Sequence, residues 1–316
     1  MTAGSVPVGD LRGARLRLRL RGAREFGARF VQRRDGLVGG LILLAFGLLA
    51  LAPGLFVGPL ESVVSATGER FDSPSGEHIL GTDRAGRDLL NLTVHGTRVS
   101  MLIGLLATLI TVFIGALIGI VSGFIGGKVD TVLMRLSDFF LVLPTFVLAL
   151  ILAPILLDIF GSQAELFGMR VTLLVIVIVI GVTSWASTAR IIRSQTLSLR
   201  ERAFVDRARV VGAGPGWIMR RHILPNVVNL IVANTVLTFA GAVLTETTLS
   251  FIGLGDPFQP SWGQLLNQAQ SDGAAGLGAW WVLAPPGIAI ILVVLAFTLV
   301  GSALDDLLNP KLRGRR

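Results

Sequence analysis

The sequence predicts an all-α, polytopic membrane protein with six transmembrane helices. Of its 316 residues, 52% are hydrophobic and 15% are charged, and the mean hydropathy of +0.74 is well above that of a water-soluble domain. Six stretches could cross about 30 Å of hydrocarbon at roughly 1.5 Å per residue, and none contains Asp, Glu, Lys or Arg. Helices are expected, because unpaired backbone amides in lipid cost several kcal/mol.

The predicted spans are uninterrupted apolar stretches separated by polar or Gly-rich connections. In chain order they are Leu37 to Val57, Val99 to Ile125, Phe139 to Leu157, Val171 to Ala189, Ile223 to Thr245, and Trp280 to Leu304. The first follows arginines and contains Ala50-Leu51-Ala52, so a cleaved secretory signal is an alternative. Because its apolar length exceeds that of a signal core, we favour an uncleaved anchor.

Two local patterns concern helix packing. Small residues recur at every fourth position of the second span, which predicts a face for close helix approach; they are Ala107, Thr111, Gly115, Gly119 and Gly123. The pattern leaves open whether the partner helix belongs to this chain or to another.

Pro144 is expected to kink the third span, because proline removes a backbone hydrogen bond and clashes with the preceding turn.

The basic residues indicate the orientation in the membrane. Nine arginines precede the first span and predict a cytoplasmic N-terminus. With six spans, five of the 28 Lys and Arg fall outside, which leaves 23 inside; the five are Arg70, Arg84, Arg87, Arg98 and Arg170. Both termini are therefore expected in the cytoplasm. The net charge of +8 is interpreted as a topology signal and not as a nucleic-acid footprint.

Several classes of chemistry are excluded by the composition. The chain has no cysteine, so a disulfide or a thiolate-held cofactor is impossible. The predicted spans carry no ionisable residue, which argues against a carrier driven by protons or sodium. A phosphate-binding loop requires Gly, four residues, Gly-Lys and then Ser or Thr. The nearest candidate, Gly127-Lys128, has Ser122 in place of the first Gly and Val129 in place of the Ser or Thr. The chain is therefore not expected to hydrolyse ATP. His78, His95 and His222 lack ligand spacing, and no metal or catalytic site is predicted.

The longest internal cytoplasmic segment runs from Arg190 to His222. Within it, Glu201 to Val211 is predicted as a short amphipathic helix that Gly212 and the following Gly and Pro residues terminate. Its apolar positions are Phe204, Val205, Ala208 and Val211. From the residues alone, this helix could rest on a partner protein, on its own bundle, or on lipid headgroups.

This segment resembles the signature loop of ABC importer permeases: Glu-Ala-Ala, three residues, Gly, nine residues, then Ile-x-Leu-Pro. The corresponding positions are Asp206-Arg207-Ala208, Gly212 and His222-Ile223-Leu224-Pro225. Asp replaces Glu, Arg replaces the first Ala, and His replaces Ile. The resemblance implies that the loop forms a coupling helix, which seats in a cleft of a separate ATPase subunit.

Other motifs resemble the dipeptide, oligopeptide and nickel branch of these permeases, and in particular the second, C-type permease with its N-terminal extension. They are His78 to Asp88, Gly96 to Ser100, Gly123 to Asp130, Leu133 to Asp138, Ala189 to Ser198, Glu246 to Gly255, Pro260 to Gly263, Trp280-Trp281 and Pro286-Gly287. The resemblance covers nearly all of residues 30–312 and implies the type I ABC importer permease fold.

The resemblance also implies how the chain is organised. Residues 1–35 are expected to be a basic cytoplasmic tail, and residues 36–95 to hold the first transmembrane helix and an extracytoplasmic segment. Residues 96–305 are expected to be a five-helix permease core with the coupling helix at about 201–216, and residues 306–316 a basic cytoplasmic tail. The expected location is the bacterial cytoplasmic membrane.

The implied partners are a homologous second permease, two ABC ATPase subunits that bind the ATP and Mg, an extracytoplasmic substrate-binding protein, and membrane lipid; no nucleic acid is expected. The implied docking residues are Phe204, Val205, Asp206, Arg207, Ala208, Arg209 and Gly212. The candidates for an outer gate or a binding-protein contact are Asp83, Arg87, Asp88, Glu246, Asp256 and Trp262.

The implied function is import of di- or oligopeptides, with the chain itself not an enzyme and without a cofactor. Nickel, glutathione or another small solute are alternative substrates for the same architecture. A secondary carrier or a membrane scaffold is the alternative class. The absence of charge in the spans argues against the carrier, and the spacing of the signature loop argues against the scaffold.

Overall fold

The computed structural model describes residues 27–161, 164–166 and 169–308. The predicted tails fall mostly outside these residues, including the arginines from Arg12 to Arg24 and the basic residues after Leu308. Within the described part, five helices are long and apolar enough to cross a membrane, and the number is six if the bent pair Gly127–Val142 and Thr145–Phe160 counts as one span. The prediction of a mostly helical membrane protein is confirmed, and the six predicted spans agree with the larger number.

The helices are α1 (Arg34–Leu51), α2 (Pro53–Val57), α3 (Leu89–Ile125), α4 (Gly127–Val142), α5 (Thr145–Phe160), α6 (Val171–Arg200), α7 (Ala203–Val210), α8 (Pro215–Ile218), α9 (Leu224–Leu249), α10 (Trp262–Ser271) and α11 (Ala284–Leu308). One π-helical turn, Met219–Ile223, joins α8 to α9, and another, Ser250–Leu254, follows α9. A 3-10 turn, Trp280–Val282, precedes α11.

Prolines interrupt the helices of two predicted spans. The predicted first span is interrupted at Ala52, where α1 stops and Pro53 begins the short helix α2. In the third span the expected kink is present: α4 ends at Val142, Pro144 immediately precedes α5, and the two helices meet at 90°. The helix α4 begins at Gly127, in the polar connection before the predicted apolar stretch that starts at Phe139.

The small-residue face of α3 packs against α6 of the same chain. A Cβ atom added to Gly115 would lie 2.6 Å from the Thr188 Cβ, and one added to Gly119 would lie 2.6 Å from the Ala189 carbonyl oxygen. A Cβ atom added to Gly123 would lie 2.8 Å from the Thr196 Cβ, also on α6. Such contacts require glycine, because any side chain would separate the two backbones. The partner helix that the sequence left open is therefore within this chain.

Ion pairs join helix ends at the predicted cytoplasmic side. Arg193 on α6 donates from Nε and from a terminal nitrogen to the two carboxylate oxygens of Asp130 on α4, each at 2.6 Å. Arg33 donates to Asp306 on α11 at 2.5 Å. These contacts attach α4 to α6 and the start of α1 to α11, so they fix the framework that carries α7.

One small departure from the all-α prediction lies between α5 and α6. Strands β1 (Glu165–Leu166) and β2 (Met169–Arg170) pair antiparallel, with Glu165 opposite Arg170. Each strand has two residues. The hairpin leads directly into α6, whose first residue Val171 is buried. It therefore lies in the connection between two spans and does not change the fold class.

Candidate functional site

The predicted amphipathic helix is present as α7, from Ala203 to Val210. Gly212 has φ +86°, the left-handed conformation expected at the residue that ends this helix. Its amide donates to the Arg209 carbonyl at 2.9 Å, and the next amide, of Ala213, donates to the Ala208 carbonyl at 3.0 Å. This pair of bonds is a Schellman motif, so Gly212 fixes where the chain leaves α7.

The apolar face of α7 rests on its own bundle. Val205 is fully buried and packs with Phe124 of α3 and with Ile218 and Ile223, which lie just before α9. Phe204 and Ala208 are partly buried against the same cluster. Of the predicted docking residues, Val205 therefore presents no surface to a partner in this arrangement, and Phe204 acts first by seating the helix.

The opposite face of α7 is exposed and mixes charge with apolar surface. Asp206 and Arg209 form an ion pair at 3.0 Å, and both side chains are largely exposed. Arg207 is also exposed. Val210 and Val211 are 88% and 87% exposed at the end of the helix. Val211 was expected on the buried face, but it lies beyond the last helical residue and turns outward.

The first three candidates for an outer gate, Asp83, Arg87 and Asp88, lie in one hydrogen-bonded turn. Asp83 pairs with Arg87 at 2.6 Å, and its other oxygen accepts from the backbone amides of Ala85 and Arg87. Arg87 also donates to Gln268 of α10 at 3.1 Å. Asp88 accepts from the amides of the first turn of α3 and lies 3.0 Å from the His78 ring nitrogen. These side chains hold the outer segment on the bundle.

The other three outer candidates are buried. Glu246 lies near the end of α9 and is fully buried, and its carboxylate accepts a hydrogen bond from the Ser250 hydroxyl at 2.8 Å. Trp262 is also fully buried, and its indole N–H donates to the Thr93 carbonyl at 3.1 Å. Asp256 is 2% exposed and lies 3.5 Å from Arg170.

The six outer candidates thus lie in three places, and none is an open surface. Asp83, Arg87 and Asp88 organise the segment before α3, Glu246 and Trp262 lie between α9, α10 and α3, and Asp256 pairs with Arg170. The sequence analysis missed Ser250, which lies one helical turn after its partner Glu246, and Arg170, which is distant along the chain from its partner Asp256. Within the described residues, no three His, Cys, Asp or Glu side chains are grouped to hold a metal ion.

The fold and the loop together define a class of protein. Long apolar helices, a small-residue seam between α3 and α6, and the short helix α7 with an exposed face are the parts of a membrane subunit that another protein can engage. Residues 115–314 match the family model of the binding-protein-dependent transport system inner membrane component. The chain belongs to this family.

Curated relatives align over most of their own length. The oligopeptide transport system permease protein of Escherichia coli is 38% identical, over 90% of this chain and 89% of the relative. The dipeptide transport system permease protein of Bacillus subtilis is 35% identical, over 87% and 81%. The glutathione transport system permease protein of Pectobacterium atrosepticum is 34% identical, over 92% and 91%.

A solved structure supports the fold. The MetNI methionine ABC transporter in an inward-facing conformation matches with a TM-score of 0.53 and 19% identity, over 69% of this chain and 94% of the matched chain. At this identity the likeness shows the fold alone, which is that of an ABC importer permease. The resemblance noted in the signature loop is confirmed: the chain is the permease component of a binding-protein-dependent ABC system, and a multi-pass inner membrane protein. Such a system includes an ATPase, a binding protein and a partner permease.

Proposed function

We propose that this chain forms, together with a homologous second permease, the translocation path of an importer for di- and oligopeptides. Two ATPase subunits would supply the energy, and an extracytoplasmic binding protein would deliver the peptide. The support is the alignment, over most of both lengths, with permeases named for dipeptide and oligopeptide transport. Glutathione, itself a small peptide, is the second candidate because a permease named for glutathione transport is 34% identical.

The proposal places both termini and α7 in the cytoplasm. The arginines before α1 and those between Arg190 and Arg221 lie at one end of the bundle under this orientation. The extracytoplasmic end then holds the segment before α3 together with α10. We propose that the turn around Asp83, Arg87 and Asp88 supports the surface that receives the binding protein.

We propose that α7 docks on the ATPase. The observation that carries this proposal is the exposure of Val210 and Val211 at the end of α7. Two β-branched apolar side chains that are 88% and 87% exposed lie beside charged groups, at the end of a helix whose other face is already packed. Such a rimmed apolar patch is typical of a protein contact. The Asp206–Arg209 pair is exposed and contributes little to stability, so either group can pair with the ATPase at low cost.

The same packing gives α7 a mechanical role. Val205 is packed with Ile218 and Ile223, at the start of the element that continues into α9. A displacement of α7 by a closing ATPase pair would therefore move the cytoplasmic end of α9 as well. Alternating access would follow from this coupled motion. ATP can drive it because ATP binds the two conformational states of the complex, before and after the ATPases close, with different affinity.

The test uses Val211→Asp in the reconstituted complex. The substitution adds a charge to the exposed patch and touches no buried contact, so the chain is expected to insert and accumulate normally. We expect reduced copurification of the ATPase and loss of the ATP hydrolysis stimulated by the loaded binding protein. Val64→Asp is the matched control, because Val64 is 97% exposed in the extracytoplasmic segment. It should leave the amount of copurified ATPase unchanged.

Further variants distinguish residues that hold α7 in place on the bundle from residues that contact the ATPase. Gly212→Val should reduce ATPase association, because valine strongly disfavours φ +86°. Phe204→Ala should act in the same direction by loosening the helix from its bundle. Asp206→Ala should weaken association and Asp206→Glu should largely keep it. Wild-type stoichiometry and stimulated hydrolysis in both Val211→Asp and Gly212→Val would contradict the docking role.

The substrate is tested separately by uptake into vesicles that contain the complete complex and its binding protein. Radiolabelled dipeptides and a pentapeptide should be taken up in an ATP-dependent way, and excess unlabelled peptide should compete. Uptake of glutathione with no uptake of either peptide class would favour the second candidate. Docking variants should lose uptake of every substrate alike, because they act on the energy supply.

A further inference from the structure

An apolar groove runs along the cytoplasmic half of the bundle, between α3 and the segment that leads into α9. It has a volume of about 590 Å³, and its walls include Leu117 and Ile120 of α3 and Ile231 of α9. Leu117 is 54% exposed, so the groove is open to the surroundings of the bundle. Because α3 and α9 are membrane-spanning candidates, this surface lies at the depth of lipid chains.

The groove ends at a basic recess. Gly216, Trp217, Arg220 and Arg221 line this second cavity of about 500 Å³, and Gly216 and Arg220 also line the groove. Both guanidinium groups are exposed, and neither has an ion-pair or hydrogen-bond partner elsewhere in the described part of the chain. Trp217 is 54% exposed beside them. Apolar walls that lead to two unpaired cations and an indole match the order of groups in an anionic phospholipid.

We propose that the groove and the recess together bind one anionic phospholipid. An acyl chain would lie between α3 and α9 against Leu117 and Ile231, and the phosphate would lie between Arg220 and Arg221. Basic pockets between transmembrane helices on the cytoplasmic side bind such headgroups. Indoles prefer the interface between hydrocarbon and headgroups, where Trp217 would lie.

The charge pattern distinguishes this surface from the docking face of α7. The docking face carries Asp206 next to Arg209, whereas the recess has no acidic side chain in its lining. A second permease that covered the groove would need to present a carboxylate to two cations at the membrane boundary. A phospholipid supplies that charge together with the apolar chain, so one ligand satisfies both parts of the site.

The experiment measures lipid retention by the complete complex. Native mass spectrometry would follow binding of phosphatidylglycerol and of phosphatidylcholine, and a phosphatidylglycerol with a diazirine on its acyl chain would map the contact. We expect a preference for phosphatidylglycerol and labelling of α3 and α9 around Leu117 and Ile231. Arg220→Gln with Arg221→Gln should reduce that preference about twenty-five-fold, since each cation near an anionic headgroup contributes roughly a factor of five.

Arg135→Gln is the control, because Arg135 is 82% exposed on α4 and lies outside the recess. It should leave lipid preference unchanged. Leu117→Trp provides a second test that keeps both arginines: it should fill the groove and suppress acyl labelling. An unchanged preference in the double variant would overturn the proposal. Loss of copurified ATPase in the double variant with unchanged lipid binding would also overturn it, and would assign the recess to the ATPase. Absence of diazirine labelling on α3 and α9 would overturn it as well, and would assign the groove to the second permease.

Discussion

Replacing Gly119 by alanine tests the seam between α3 and α6, on which the position of α7 depends. The added Cβ would lie 2.6 Å from the Ala189 carbonyl oxygen and 2.9 Å from the Ile192 Cβ, whereas ordinary contact begins near 3.4 Å. Backbone and Cβ atoms cannot rotate away, so the two helices would have to separate. Overpacking of this kind costs about 1 to 3 kcal/mol.

The control is Gly47→Ala in α1, because a Cβ added there would meet no atom within 4 Å. Alanine is favoured over glycine inside a helix by about 1 kcal/mol, so this variant should be as stable as the wild type or more stable. The assay is the fraction of the detergent-solubilised complex that stays monodisperse after heating. We expect the midpoint to fall for Gly119→Ala and further for Gly119→Leu.

Equal midpoints for Gly119→Ala and Gly47→Ala would refute the close approach of α3 and α6. A fall that appeared only when the second permease was present would instead place the seam between subunits. Measuring the isolated chain and the complete complex separates these results. The expected result is the same loss in both, because all of the contacts described for Gly119 come from this chain.

Two further predictions concern orientation and the buried carboxyl group. Because the chain has no cysteine, single cysteines at Ser75 and Ser271 should react with an impermeant maleimide in intact cells and one at Ser198 only after permeabilisation; labelling at Ser198 from outside would contradict a cytoplasmic α7. Glu246→Gln should be nearly as stable as the wild type, because the amide oxygen can still accept a hydrogen bond from Ser250. Glu246→Ala should cost about 1 to 3 kcal/mol of stability, because it leaves the Ser250 hydroxyl without its acceptor. Equal thermal midpoints for the two variants would show that this hydrogen bond does not contribute to stability.

The spans were predictable because lipid imposes a simple rule on sequence. A helix that crosses hydrocarbon must be apolar over about 20 residues, and this signal is local. The kink at Pro144 was predictable for the same reason, since proline acts on its own turn. Helix ends were less accurate: α4 begins at Gly127 and α9 continues to Leu249, because polar residues can extend a helix when tertiary contacts satisfy them.

The loop was predictable as an element but not in its orientation. The spacing from Phe204 to Gly212 indicated a short helix with a glycine terminator, and both are present. Which side of that helix faces outward depends on Phe124, Ile218 and Ile223, which are far away or in separate turns. The packing buries Val205 and exposes Val210 and Val211, and so it moves the candidate contact surface to the end of the helix.

The sequence by itself determined the membrane character, the six spans, the glycine at the end of α7 and the signature loop, because each depends on hydropathy, backbone conformation or spacing along the chain. Only the tertiary structure decided that the glycine face of α3 meets α6 and that Glu246 and Trp262 are buried. It also brought Arg220 and Arg221 to the end of an apolar groove. These features depend on contacts between residues distant in sequence, and a local pattern in one segment does not identify the distant residue that contacts it.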